Sequence, residues 1–430
     1  MYKRQILVGI HELGHFLMAR AFKIRVEKFY IFFDPWFSLF KFKRGDTEYG
    51  LGWLPLGGYV KIAGMIDESM DKEQMKQPVK PDEFRAKPAW QRLLVMVAGV
   101  MMNVLLAIVI YCAVCYTWGD SYFSNQDAKW GYNFNPTAHE MGFRDGDRFV
   151  SIDGEEIDNV MRVQNDLLIT DGGRRVIVER GGEPVTLDIP FESLLRMRQE
   201  KAYEDLFTLR LPFIVDSVSY TSAVEAGLES GDEVVAIDDL RDADYPRYRD
   251  YLQKHKNDKV LLTVRRDGAL IDSLALPVDA EGRIGVTVTN PYSLRTQYYT
   301  FWESIPAGIH KAGKTISSYW DQLKLIVQPK TKMYEELGGF VAIGSIFPSS
   351  WDWHDFWLKT AFLSIILAVM NLLPIPGLDG GHALFTLWEI ITRRKPSEKF
   401  LEVAQYVGLM IILALLVYAN GNDIYRFFIK

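Results

Sequence analysis

The feature that most limits how this chain can fold is Ala89–Trp118, AWQRLLVMVAGVMMNVLLAIVIYCAVCYTW, whose one charge, Arg92, lies near its start. As a helix rising about 1.5 Å per residue, it is long enough to cross a hydrocarbon core of about 30 Å. Two further stretches, Phe356 to Leu373 and Phe400 to Ala419, are apolar over nearly the length a crossing needs. Mean hydropathy over the 430 residues is nonetheless near zero, so the apolar residues are gathered into segments and not spread through one soluble core. Residues 5–22, QILVGIHELGHFLMARAF, are also apolar and helical in pattern, yet only ten residues precede His11, about 15 Å of helix. This start reads as a first span with natural residues missing before Met1. It does not read as a cleavable signal peptide, because ionisable residues interrupt it.

Orientation follows from basic residues in short connections. Lys23, Arg25, Lys28, Lys41, Lys43 and Arg44 follow the first span, and TRRKPSEK joins the last two, so both connections are expected on the cytoplasmic side and residues 119–355 outside. The net charge of −6, with no basic stripe beyond these segments, excludes nucleic acid as an expected partner. Cys112 and Cys115, one turn apart in a membrane helix, read as small packing residues, since a redox pair needs a strand-to-helix setting.

The outer region repeats itself. Ala138, Gly142, Phe143, Gly146, Asp147, Phe149, Ile152 and Asp153 recur as Ala223, Gly227, Leu228, Gly231, Asp232, Val234, Ile237 and Asp238 at one constant offset, the mark of a duplicated domain. In each copy a Gly-Asp turn leads into an alternating strand, RFVSID or EVVAID, and hairpins follow in RRVIVERGGEPVTLDI and KVLLTVRRDGALIDSLAL. The pattern resembles PDZ domains in the permuted arrangement of bacterial proteases, although Asp239 stands where the first copy has Gly154. That resemblance implies either docking of peptide termini at a strand edge or a steric gate without a ligand.

His11-Glu12-Leu13-Gly14-His15 fits HExxH. On a helix, residues four apart share a face, so two imidazoles converge on one ion while Glu12 reaches the water beside it. Ionisable residues inside an apolar helix are costly unless they face a cavity or a ligand. A two-imidazole zinc site needs a third protein ligand and an open position. Candidates lie in NLLPIPGLDGGH, residues 371–382, where Pro374, Pro376, Gly377, Gly380 and Gly381 oppose a regular helix. By chemistry alone Asp379 and His382 both qualify.

HELGH, NLLPIPGLDGG and the tandem PDZ-like modules between them resemble the site-2 protease family, over nearly the whole chain, in its bacterial branch with tandem PDZ domains. The resemblance implies an intramembrane zinc metalloprotease with Zn2+ held by His11, His15 and Asp379, and Glu12 as catalytic base. It leaves His382 a packing or supporting role. Asn371 matches a family residue thought to contact substrate backbone or the oxyanion; its other reading is capping of a helix end. Several relatives carry a second Asn where this chain has Ile366, which weakens any two-Asn clamp. Gly99 and Asn103 fit a family G-x-x-x-N pattern, read here as helix packing. EYGLGWLPLGGYVKIAG reads as strand, turn and strand, resembling the family's membrane-associated hairpin beside the active site, with Gly57, Gly58 and Tyr59 as substrate-binding candidates.

The expected fold is thus a multi-domain membrane protein. It has an α-helical transmembrane core of about four spans, the first truncated, a membrane-associated β-hairpin and two extracytoplasmic α+β PDZ-like domains. The expected boundaries are a first transmembrane helix at 1–22, the cytoplasmic or membrane-associated hairpin region at 23–88, a second helix at 89–118 and PDZ-like domains at 128–192 and 205–290. An amphipathic connection on the outer membrane surface follows at 298–355, then a third transmembrane segment at 356–391 and a fourth helix at 400–420. Substrates implied are single-span membrane proteins, an anti-sigma factor above all and remnant signal peptides as a second class, already cut outside by a site-1-type protease. The implied location is a bacterial inner membrane, multi-pass in the lipid bilayer, with the active site toward the cytoplasm. Two other classes stay open: a membrane-anchored PDZ adaptor with a decayed site, distinguished by its lack of stoichiometric zinc, and a soluble zinc peptidase, distinguished by extraction without detergent.

Overall fold

A computed structural model describes residues 2–65, 78–203, 205–346 and 350–429. Residues 66–77 of the expected hairpin region and 347–349 of the connection lie outside the described residues. The chain divides into two compact units, residues 1–120 with 298–430, and residues 121–297.

The first unit is built on helices α1 (Tyr2–Ala21), α2 (Ala89–Trp118), α3 (Phe301–Val327), α4 (Trp353–Leu372), α5 (Asp379–Thr392) and α6 (Glu398–Ile424). Among the described residues, Ala89–Trp118, Trp353–Leu372 and Lys399–Phe427 are helical stretches long and apolar enough to cross a membrane. α1, interrupted by His11, Glu12 and His15, is not among them. α2 is central. Its buried residues Val95, Gly99, Asn103, Ala107, Ile110 and Val114 recur every three or four positions and face the other helices. Met101, Leu105 and Val109 are exposed on the opposite side, and α6 exposes Val407, Met410, Leu413 and Val417. Such surfaces are stable only against hydrocarbon, so the protein resides in a membrane.

α3 begins with a capping box, the Glu303 carboxylate accepting from the Thr300 N–H at 2.9 Å. The sequence reading laid this region on the outer membrane surface. The helix instead runs antiparallel along α2: Phe301 meets Tyr116, the Ile305 carbonyl accepts from Cys112 Sγ at 3.6 Å, and Thr315 meets Tyr111. Its buried Ser304, Gly308 and Ala312, one turn apart, are small enough for the two backbones to approach, and Ala312 joins a cluster with Ala107, Ile110, Ala361 and Ile365.

Between α1 and α2 lie β1 (Val26–Arg44) and β2 (Thr47–Ile62), joined at Gly45–Asp46. Lys28, Phe29, Tyr30 and Ile31 pair on one side with Lys61, Val60, Tyr59 and Gly58, and on the other with Glu48, Tyr49, Gly50 and Leu51. The two halves of the segment read as one short hairpin therefore do not pair with each other; residues 26–33, rich in aromatic and β-branched side chains, lie between them. Residues 38–44 close the far side against 47–52. The base of this sheet packs Val26, Val60 and Ile62 with Ala19 of α1 and Val95 and Met96 of α2.

The second unit holds two modules with the same antiparallel sheet. Strands β3 (Arg148–Ile152), β4 (Glu155–Glu156), β5 (Arg174–Arg180) and β6 (Glu183–Ile189) lie in the order β4-β3-β5-β6. Strands β7 (Glu233–Ile237), β8 (Leu240–Arg241), β9 (Lys259–Arg266) and β10 (Ala269–Pro277) repeat it as β8-β7-β9-β10. Each module buries its own core, around Phe143, Phe149 and Val178 in one and Phe213, Tyr248 and Leu262 in the other. The repeated Gly-Asp has a physical cause. Asp147 and Asp232 are wholly buried, and each accepts two hydrogen bonds from an arginine at the end of the third strand, Arg180 (2.7 and 2.7 Å) and Arg266 (2.6 and 2.7 Å). Each also accepts a backbone N–H of its own turn, from Arg144 and Glu229, both at 2.9 Å. A charged fork thus staples turn to hairpin in both copies.

Candidate metal centre

Helical spacing puts His11 and His15 on one face of α1, with ring centroids 4.8 Å apart and planes at 77°. α4 ends at Leu372 because the prolines that follow break the helical ladder, and the chain restarts at Asp379, the first residue of α5. That restart carries the Asp379 carboxylate to the histidines. Its Oδ2 lies 2.9 Å from His11 Nε2 and 3.2 Å from His15 Nε2, and the two Nε2 atoms are 3.2 Å apart. Both imidazoles are 6% exposed, so the cluster is shut off from bulk water.

Oδ2 makes no well-aligned hydrogen bond even though two ring nitrogens lie this close. Three potential ligand atoms therefore crowd a common position with no well-aligned hydrogen bond between them, an arrangement costly in a buried setting and favourable around a cation. Two imidazoles and one carboxylate make a donor set that zinc accepts, with a fourth position left for water or substrate. Among the described residues, His11, His15 and Asp379 form the grouping of this kind; His382 is not in it.

α2 supplies the wall behind the histidines. The Val95 carbonyl accepts from His15 Nδ1 at 2.8 Å, so the proton sits on Nδ1 and the lone pair is left on Nε2. Asn103 Nδ2 lies 3.3 Å from His11 Nδ1. Between them, a Cβ on Gly99 would come within 2.4 Å of His15 Nε2 and 2.8 Å of His11 Nε2. Gly99 and Asn103, read from the sequence as mere helix packing, are thus in contact with the imidazoles. Their spacing with Val95, one turn each, was the available signal, but it identifies a partner only once the partner helix is known.

Asn371, near the end of α4, is brought to the cluster, its Nδ2 3.3 Å from His11 Nε2. Glu12 is half-buried on α1 beside the histidines. Gly57, Gly58 and Tyr59 have their contacts within the sheet. Gly57 abuts the Phe33 ring, Gly58 pairs with Ile31, and Tyr59 stacks between Tyr30 and Phe33 while its hydroxyl donates to Asp34 at 2.9 Å. Burial and then that bond to Asp34 push the Tyr59 phenol well above its ordinary pKa, so it stays a donor. The sheet reaches the site through Phe16, next to His15, whose ring meets Phe29 at 5.3 Å and Tyr49 at 6.0 Å.

Residues 5–415 match the description of peptidase family M50. A "Putative zinc metalloprotease" of Clostridium perfringens is 30% identical, over 97% of this chain and 95% of its own. A protein of the same name from Neisseria meningitidis is 26% identical over 98% and 97%. The "Regulator of sigma E protease" of Haemophilus influenzae is 27% identical over 98% and 96%. With such coverage on both sides, and apolar helices around a His-His-Asp cluster, the chain belongs to peptidase family M50, the site-2 proteases, and is a zinc-dependent membrane metalloprotease.

Proposed function

We propose that His11, His15 and Asp379 hold the zinc, that Glu12 moves the protons, and that the protein cuts a peptide bond inside the transmembrane segment of single-span membrane proteins. The observation that carries this reading is the convergence of the two Nε2 atoms and the Asp379 oxygen in a pocket walled off from water. When bound, zinc supplies Lewis acidity, which polarises a peptide carbonyl and acidifies water near it. The residues do the rest. Glu12, one position from His11 on the same helix, takes the proton of the attacking water and returns it to the leaving amine. Asn371, its amide at His11 Nε2, is placed to donate a hydrogen bond to the oxygen that gains charge.

A peptide bond inside a helix is shielded, so the substrate must unwind locally. Among the described residues the strand at 58–62 pairs on one side only and offers an edge that can hold it extended, with Gly57, Gly58 and Tyr59 as contacts. We read the two outer modules, whose sequence repeat resembles permuted PDZ domains, as extracytoplasmic gates that exclude substrates still carrying a bulky outer domain. A first cut outside, by a site-1-type protease, then precedes this one. The sigma-regulating name of the Haemophilus relative supports an anti-sigma-type membrane protein as substrate, with remnant signal peptides as a second class. The basic residues after α1 and before α6 support an inner-membrane topology with the catalytic site toward the cytoplasm.

Glu12→Gln tests this directly. It should keep zinc and lose cleavage of a trimmed single-span substrate in proteoliposomes; cleavage that survives with zinc bound would mean another residue is the base.

A further inference from the structure

Zinc ligation by His11 through Nε2 requires that nitrogen to offer its lone pair, which places the ring proton on Nδ1. For His15 the Val95 carbonyl, which can only accept, enforces this state. His11 Nδ1 faces Asn103 instead, a side chain that is 0% exposed and carries both a donor and an acceptor on one amide. Its Nδ2 lies 3.3 Å from Nδ1, while its Oδ1, also buried, has no hydrogen-bond partner among the described residues. In this state Nδ1 accepts from the amide, which leaves the ring proton on Nε2, 2.9 Å from Asp379 Oδ2 but not aligned with it. A half-turn of the amide presents Oδ1 to Nδ1–H, which gives the partnerless oxygen a donor and frees Nε2 for the metal.

We propose that Asn103 is a positioning residue for the metal centre, whose amide holds His11 in either tautomer and turns to stabilise the zinc-binding one. The assignment rests on the reading that His11, His15 and Asp379 hold the zinc. It gives Asn103 a role that helix packing alone does not require. An asparagine wholly buried in an apolar helix costs free energy unless its polar atoms are used; Ser364 Oγ donates to its backbone carbonyl at 2.8 Å, and among the described residues the hydrogen-bonding neighbour of its side-chain amide is the ring nitrogen of a candidate ligand.

The test measures the affinity of purified full-length protein for zinc alone, in competition with a chelator, for the parent, Asn103→Leu, Asn103→Asp, Asn103→Ala and Asp379→Asn. Leucine keeps the branched outline of asparagine, with more bulk, and removes the hydrogen bond, so Asn103→Leu should weaken zinc binding about 10- to 100-fold. Asn103→Ala, which adds no bulk, should show the same loss and serves if the leucine variant fails to accumulate. Asn103→Asp keeps an acceptor for Nδ1–H and should stay within a few-fold of the parent. A packing role predicts the reverse order, with leucine tolerated and a buried carboxylate not. Parent-like zinc affinity in both Asn103→Leu and Asn103→Ala, or an Asn103→Asp as weak as Asn103→Leu, overturns the proposal. Asp379→Asn separates the two levels: if it binds zinc like the parent, the ligand assignment itself is wrong, and if it loses zinc while Asn103→Leu does not, only the role of Asn103 falls.

Discussion

Gly99→Ala opposes two effects of known sign. Within a helix, alanine is favoured over glycine by about 0.5–1 kcal/mol, so on propensity alone the substitution stabilises α2. At this position the new methyl would sit 2.4 Å from His15 Nε2, 2.7 Å from His11 Cε1 and 2.8 Å from His11 Nε2. Ordinary contact begins near 3.4 Å, so the imidazoles must retreat by about 1 Å. Metal-ligand distances tolerate about 0.2 Å, and a misplacement of about 1 Å can cost about 100-fold in rate. Gly99→Ala should therefore reach the membrane and unfold no earlier than the parent in its zinc-free form, yet bind zinc weakly and cleave at about one hundredth of the parent rate or less. Thermal unfolding in detergent, zinc titration and a single-span cleavage assay read the three quantities. A variant with parent zinc affinity and parent cleavage would show that the histidines do not meet at this wall.

Other perturbations follow from the same geometry. Gly408→Ala puts a methyl 1.5 Å from the Pro376 carbonyl, so α6 must move off the turn that leads to Asp379; cleavage should fall while α6 still inserts, as judged by accessibility of residues at its ends. If Asn371 donates to the reacting oxygen as proposed, Asn371→Ala should lower kcat about 100- to 1,000-fold with little change in KM; a change confined to KM would mean it only binds substrate. In the second unit, burial by itself would raise the Asp232 carboxyl, but the Arg266 fork and the Glu229 N–H outweigh it and hold it below its ordinary value. That stability is complete above about pH 4 and is lost as pH falls through the lowered folded value, so amide exchange in β7 and β9 should quicken on acidification. Arg266→Ala should remove that stabilisation at neutral pH; unchanged exchange there would mean the fork contributes nothing.

How far the sequence could be read depended on whether a feature was local or arose from two elements meeting. HELGH is a one-helix pattern, and the Pro-Gly run before Asp379 announces its own break, so their chemistry was legible before any partner was known. The repeat at constant offset was legible for the same reason, although the arginines that justify its aspartates, Arg180 and Arg266, lie more than thirty residues further on. The sheet was misread because residues 48–64 contain two strands and a turn but not their partner; pairing with 26–33 is a matter of register, which a turn signal does not encode. The packing of α3 along α2 was not legible because Ser304, Gly308 and Ala312 look like weak helix positions until α2 lies against them. Val95 was overlooked, and Gly99 and Asn103 read as helix packing, since a backbone carbonyl and an absent side chain leave no chemical trace in a sequence and an asparagine does not name its partner.

The account depends on one zinc ion bound by two imidazoles and a carboxylate, and X-ray absorption of the zinc-loaded protein measures that coordination directly. The parent should show one zinc per chain with two nitrogen neighbours at about 2.0–2.1 Å and at least one protein oxygen at about 2.0–2.2 Å. His11→Ala and Asp379→Ala should each bind zinc far more weakly and lose the corresponding neighbour. Stoichiometric zinc with an unchanged shell in Asp379→Ala would contradict the account, because the third ligand would then come from elsewhere in the chain.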